Sequence, residues 1–199
     1  MPVKAIKNHI IFKFDDEIVR KTDTGRERTQ FAEKSDWGFE ISNYDEGTKT
    51  PRWVTVISVG PEVADTITVG SHVLVEPLQW TESIEVDGEP HWRTDEDKIL
   101  LVKQDSLLPL QDHVLVTRAK NEAKSMGGII ISGAADEKST EGRILAIGCG
   151  KTLESGKLIP LDVQIDDNIV FGALSGVPAK IDGKVLLILR EEDILGILV

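Results

Sequence analysis

The sequence predicts an all-β protein built as two small β-barrels in tandem, and three observations predict it. Short runs of Val and Ile are punctuated by Gly, Pro, Asp and Asn, the pattern of short strands with turns between them. No stretch sustains the 3.6-residue apolar period of an amphipathic helix. The same ordered set of motifs occurs twice within 199 residues, a length that suits two domains of about 100 residues each.

The strand runs come first. They are Ile10-Ile11-Phe12, residues 53–59, Val73-Leu74-Val75, residues 143–147, residues 168–171 and residues 185–189. Each is rich in branched side chains and bounded by turn formers, as a strand buried on at least one face requires.

The repeat links these runs into two copies. Ile6-Lys7-Asn8-His9-Ile10-Ile11-Phe12 resembles Leu110-Gln111-Asp112-His113-Val114-Leu115-Val116. Val56-Ile57-Ser58-Val59-Gly60 resembles Ile144-Leu145-Ala146-Ile147-Gly148, and residues 69–75 resemble residues 165–171. Residues 95–100 resemble residues 190–195. The offset between copies falls from 104 to 88 and returns to 96 and 95. The first copy therefore carries a longer early loop and a shorter middle one. The domains are expected at 1–105 and 106–199.

Charge and composition exclude several function classes. Net charge is −11, with 40% hydrophobic residues to fill a core. Residues 1–105 hold 13 Lys/Arg against 21 Asp/Glu, and residues 106–199 hold 10 against 13. Neither half offers a basic patch, so no nucleic acid partner is expected. No apolar run reaches the roughly 20 residues of a membrane span, and the first residues lack a signal-peptide pattern. The expectation is a soluble, cytoplasmic protein. The single cysteine, Cys149, allows no internal disulfide and fits a reducing compartment.

Several motifs suggest chemistry, and each lacks a part that the chemistry needs. Gly148-Cys149-Gly150-Lys151-Thr152 suggests a phosphate-binding loop, but the glycine that motif needs falls on Leu145 and no helix pattern follows. His9, His72, His91 and His113 share no metal-ligand spacing. His9 and His113 stand at equivalent repeat positions, which points to a structural role at a strand start. No Gly-x-Ser-x-Gly elbow occurs. No enzyme, cofactor or metal is expected.

The segment that carries function is residues 121–140. Its polar flanks enclose Gly127-Gly128-Ile129-Ile130-Ile131-Ser132. Successive strand side chains point to opposite faces, so three adjacent isoleucines cannot all enter one small core. Either the strand is buried on both faces, or the triplet stays exposed until a partner's groove covers it.

A resemblance favours the second reading. Residues 109–116, Lys124-Ser125-Met126-Gly127-Gly128-Ile129-Ile130-Ile131-Ser132-Gly133 and residues 138–148 resemble the opening strand, mobile loop and following strand of GroES-type co-chaperonins. Residues 160–163 and 192–195 match later family segments, so the likeness covers nearly all of residues 107–199. It implies GroES-like barrels, each with a long mobile loop. It implies that Ile129, Ile130 and Ile131 contact a GroEL-type chaperonin in its nucleotide-bound state, with Gly127 and Gly128 as hinge. It further implies a heptameric ring that multiplies weak single contacts and encloses unfolded client proteins. The tip near residues 149–156 matches the family's roof hairpin.

The first half is a more distant relative. Its early loop runs from about residue 15 to 52, and Ser35-Asp36-Trp37-Gly38-Phe39-Glu40-Ile41-Ser42 sits where the family has its docking motif. Trp37, Gly38, Phe39 and Ile41 are a second docking loop, or a surface loop pinned by Trp37 and Phe39 on its own barrel. Val59-Gly60-Pro61-Glu62-Val63 resembles phage-encoded co-chaperonins. The apolar end, Ile194-Leu195-Gly196-Ile197-Leu198-Val199, is expected at a subunit interface, because an open apolar strand invites another chain. The resemblance implies that Ile194, Leu195 and Ile197 meet a neighbour's opening strand at Leu108 and Leu110. Two rival classes share features with this chain. A zinc-dependent alcohol dehydrogenase shares the barrel but needs zinc ligands and a dinucleotide domain. A phage structural or assembly barrel acting without a chaperonin shares the composition and leaves the Gly-Gly-Ile-Ile-Ile segment unexplained.

Overall fold

The computed structural model describes residues 3–15, 50–119, 139–153 and 156–198 in full, and adds the backbone of short strands at 20–21, 27–28, 32–34, 40–42, 125–126 and 129–130. Among them there is no α-helix, and the chain divides into two compact units, Met1–Leu107 and Leu108–Val199.

Each unit contains six principal strands. In the first they are β1 (His9–Phe14), β2 (Arg52–Val59), β3 (His72–Val75), β4 (Ile84–Val86), β5 (Glu89–Asp95) and β6 (Ile99–Lys103). In the second they are β7 (His113–Arg118), β8 (Glu141–Ile147), β9 (Asn168–Phe171), β10 (Val177–Ile181), β11 (Lys184–Arg190) and β12 (Ile194–Leu198). A further strand, Leu107–Pro109, spans the division.

The two sheets follow the same diagram. Hydrogen-bonded order is β6-β3-β2-β1-β5-β4 in the first sheet, with Leu107–Pro109 as a seventh strand beside β6, and β12-β9-β8-β7-β11-β10 in the second; the registered pairs are antiparallel. The irregularities coincide as well. β1 slips against β2 between Ile11 and Phe12, and β7 against β8 between Leu115 and Val116. Leu100 is skipped where β6 meets β3, and Leu195 where β12 meets β9. Such bulges bend a strand and raise its twist. A single 3-10 turn joins β5 to β6 (Glu96–Lys98) and β11 to β12 (Glu191–Asp193). Its first N–H donates to Asn8 O in one unit (3.1 Å) and to Asp112 O in the other (3.0 Å).

The expected closed barrels are corrected here. In each unit the strand order runs from one end strand to another and, among the described residues, does not return on itself. Closure needs two end strands able to share a ladder. β4 has only three residues, and the outer side of β12 carries no strand of its own unit.

Alternation places the core. In β2 the residues Arg52, Val54, Val56 and Ser58 point inward and their neighbours are half-exposed. Ile10, Phe12, Val73, Val75, Ile99 and Leu101 complete that interior. In the second unit Val114, Val116, Ile144, Val163, Ile169, Phe171, Leu187 and Leu189 form one buried cluster, with Ile147, Leu161 and Ile194 against it. Burying a side chain of this size stabilises by about 1.5–3 kcal/mol, so these positions dominate the stability of each unit.

One contact recurs at the head of each sheet. Lys7 and Gln111 take positive φ (53° and 52°), which turns their carbonyls toward Gly60 and Gly148. Gly60 N donates to His9 O and Gly148 N to His113 O, both at 2.9 Å. A Cβ at Gly60 would lie 2.0 Å from Lys7 O, and at Gly148 2.1 Å from Gln111 O. Only glycine fits there. The histidines beside this contact act structurally, as the repeat suggested. His113 Nδ1 lies 2.8 Å from Leu110 O, and His9 Nδ1 lies 2.6 Å from Asp95 Oδ1.

Gly148→Ala is expected to cost about 1–3 kcal/mol by overpacking, measured by chemical denaturation. Gly196→Ala, where a Cβ meets nothing within 4 Å, should stay within about 0.5 kcal/mol of the parent. Equal costs for the two would contradict the assigned contact.

Candidate functional site

The second-unit loop leaves β7 at Arg118 and rejoins β8 at Glu141. Its root is held by the backbone: Ala119 N donates to Glu141 O at 2.9 Å. Arg118 adds a side-chain tie. Its Nη1 donates to Ser139 O at 2.7 Å, and its guanidinium sits 5.2 Å from the Phe171 ring centroid. Partial burial there pulls the guanidinium pKa down from its usual value. Beside the root is an open cleft of about 320 Å³ lined by Arg118, Ala119, Glu141, Arg143 and Leu198 among others.

Within the loop, Ser125–Met126 pairs with Ile129–Ile130, Ser125 opposite Ile130 and Met126 opposite Ile129. The two strands are separated in sequence by Gly127 and Gly128, a spacing and composition suited to a two-residue hairpin. Gly127, Gly128, Ile131 and Ser132 lie outside the described residues, and Ile129 and Ile130 are described at the backbone alone.

The first-unit loop has an equivalent root with different chemistry. Asp15 N donates to Trp53 O at 3.2 Å. The Asp15 carboxylate accepts from the Thr55 hydroxyl and lies 2.9 Å from His72 Nδ1. Arg52, just beyond the loop, is buried with its guanidinium 3.5 Å from the Phe14 ring centroid. Trp92 and Trp80 pack edge-on against that ring, with centroids 4.6 and 5.2 Å away. The loop itself carries a four-strand antiparallel meander, Arg20–Lys21, Glu27–Arg28, Ala32–Lys34 and Glu40–Ser42. Ile41 stands in its last strand, opposite Glu33. Trp37, Gly38 and Phe39 lie outside the described residues.

The residues expected at a subunit interface are all described. Leu195 and Ile197 are 74% and 42% exposed on β12, the end strand of its sheet, and Ile194 is half-buried against the core. Leu108 is half-buried and Leu110 is buried, 7% exposed. The corresponding strand of the first unit differs: Leu100 and Val102 are fully buried. Lys151–Thr152 and Leu158–Ile159 form a small hairpin with Leu153, Leu158 and Ile159 exposed, so a hairpin follows the Gly-Lys-Thr and no phosphate-binding helix does.

Sequence reasoning missed the two root clamps and the meander. Phe14 and Arg52 flank the first loop, and that position was the one available signal. Arg118 and Phe171 are distant in sequence and only the fold brings them together. Among the described residues no group of three His, Cys, Asp or Glu side chains could hold a metal ion, and no helix is long and apolar enough to cross a membrane.

Comparison with known proteins bears on the second unit. The family model "Chaperonin 10 Kd subunit" matches residues 106–198. The co-chaperonin GroES of Francisella tularensis subsp. novicida (strain U112) is 48% identical over 93 residues, which are 47% of this chain and 98% of that protein. GroES of subsp. holarctica (strain LVS) matches with the same identity and coverage. The match takes in the root clamp, both strands of the short loop hairpin and β12, and through it the chain belongs to the chaperonin 10 kDa (GroES) family.

Proposed function

We infer that this chain is a co-chaperonin that caps an ATP-dependent chaperonin ring and assists protein folding, and that both of its units are GroES-like domains. Co-chaperonins of this family are not enzymes, so function rests on binding. The observation that carries the reading is the end-to-end match of residues 106–198 to GroES at 48% identity. The identical strand order and bulges of the first unit support extending it to the whole chain.

In this reading the loop rooted at Arg118 and Glu141 is the docking element. Gly127 and Gly128 give it backbone freedom, and Ile129, Ile130 and Ile131 enter an apolar groove of a GroEL-type chaperonin in its nucleotide-bound state. The polar loop flanks lose entropy on ordering, so each contact is weak. A ring of seven chains makes the sum strong through effective concentration. Trp37, Gly38, Phe39 and Ile41 offer a second contact of the same kind. Client proteins fold in the chamber beneath, in the host cytoplasm if the gene is a phage's.

The ring itself is assembled through β12. An exposed apolar end strand is a template for strand addition. The opening segment of a neighbouring copy supplies the added strand: Leu108 to Leu110, as the family resemblance implies, or, since Leu107–Pro109 is already paired with β6, its first-half counterpart at residues 3–6, which forms no strand and ends in the 62% exposed Ile6.

Native mass spectrometry of the chain alone is expected to show seven-chain species, and with chaperonin and ADP a nucleotide-dependent complex. Ile129→Ser with Ile131→Ser should weaken docking at least about tenfold per isoleucine removed while the circular dichroism spectrum stays unchanged. Normal docking by that variant would assign binding to the first loop; an unfolded variant would support the buried-strand alternative. Leu195→Lys with Ile197→Lys should convert the ring to single chains, and a ring that survives would place the interface elsewhere.

A further inference from the structure

Both long loops leave their sheets beside a cation held near an aromatic ring, and the two contacts are built from different residues. In the second unit Arg118, the last residue of β7, sits with its guanidinium 5.2 Å from the ring centroid of Phe171, the last residue of β9. In the first unit Arg52, at the start of β2, lies 3.5 Å from the ring centroid of Phe14, the last residue of β1. Register equates Phe14 with Arg118, since they stand opposite Val54 and Gly142 on matching ladders. By the same repeat Arg52 falls on Thr140, and Phe171 on Val75. Ring and cation have changed strands between the units, and their pairing is retained. Such contacts are attractive within about 6 Å and strengthen as water is excluded.

A steric detail accompanies the change. A Cβ on Gly142, opposite Arg118, would lie 2.6 Å from Val116 Cγ1 and 3.1 Å from Phe171 Cε1. The missing side chain gives the Phe171 ring its place. In the first unit Val54 fills the matching point, fully buried, and the cation comes from β2.

In the second unit the contact gathers both arms of the loop. Arg118 Nη1 donates to Ser139 O at 2.7 Å. Phe171 N donates to Thr140 O, and Ala119 N to Glu141 O, both at 2.9 Å. We propose that Arg118 is a positioning residue for docking: by joining Ser139 to the Phe171 ring, it fixes the direction in which the chain enters and leaves residues 120–138. A root ordered beforehand spares the docked state that part of the ordering entropy. The docking role of this loop rests on the function inferred above; the clamp does not.

The full chain in its assembled state tests this through Arg118→Met, which keeps the length of the stem and removes the charged head. Affinity for chaperonin with ADP should fall about three- to tenfold, and amide exchange at Ala119 should quicken by a similar factor. Native mass and denaturation midpoint should match the parent. Arg118→Lys, which keeps a cationic donor, should recover part of the affinity. Phe171→Leu should weaken docking too, and combining it with Arg118→Met should cost less than the two losses multiplied, because they share one contact. Parent-like docking by Arg118→Met, no recovery by Arg118→Lys, fully multiplicative losses, or a docking loss that merely follows a lost assembly or a lowered midpoint each overturns the proposal. Normal docking by Ile129→Ser with Ile131→Ser would instead remove the docking role of the loop, and exchange at Ala119 would still report the clamp.

Discussion

The carbonyl of Gln111 occupies the space where any side chain on residue 148 would begin. That close approach, with its twin between Lys7 and Gly60, ties the turn entering each sheet to the end of its second strand. From it the rest follows. Gly148 N reaches His113 O, the ladder between β7 and β8 starts in register, and the alternation that buries Val114, Val116 and Ile144 on one side is set. A displaced first rung would turn every inward residue outward. The backbone geometry and the core are thus two views of one constraint, and the positive φ of Lys7 and Gln111 is its conformational cost.

On this shared frame the two units have diverged at their loop roots and end strands. The second unit holds its loop by one arginine bridging a carbonyl and an aromatic ring. The first surrounds its root with Phe14, Trp80, Trp92 and buried Arg52, and pins the departing chain through Asp15. A longer insertion exerts more leverage on its base, and a larger aromatic contact with a cation over its face resists it better. The strands β6 and β12 differ in the opposite sense: β6 lies beside Leu107–Pro109 with Leu100 and Val102 covered, whereas β12 ends its sheet with Leu195 and Ile197 bare.

The sequence was most legible where hydrophobic alternation was the signal. All six apolar runs became strands, and the repeat aligned the two sheets with their bulges. It was less legible where strands contain proline. β5 includes Pro90 and β10 includes Pro178, both between strand and turn signals by composition. The first is tolerated because Pro90 lies beyond the pairing with β1, and the second because β10 ends its sheet. The meander was invisible for a physical reason: its strands are only two or three residues long, too short for an alternation to register. Sheet closure was over-read, since strand count and turn spacing do not report whether two end strands share hydrogen bonds. For the candidate site, the glycine pair and isoleucine triplet were legible by resemblance. The clamp between Arg118 and Phe171 was not, because it exists only after the sheet has formed.

The bare outer side of β12 has a thermodynamic corollary. If a neighbouring copy supplies the missing strand, part of each chain's core is finished only by association, and mass action then enters its stability. A melting temperature for this protein would rise with protein concentration. In a cell, dilute newly made chains would be the vulnerable population, holding Leu195 and Ile197 open to any passing strand until enough siblings accumulate.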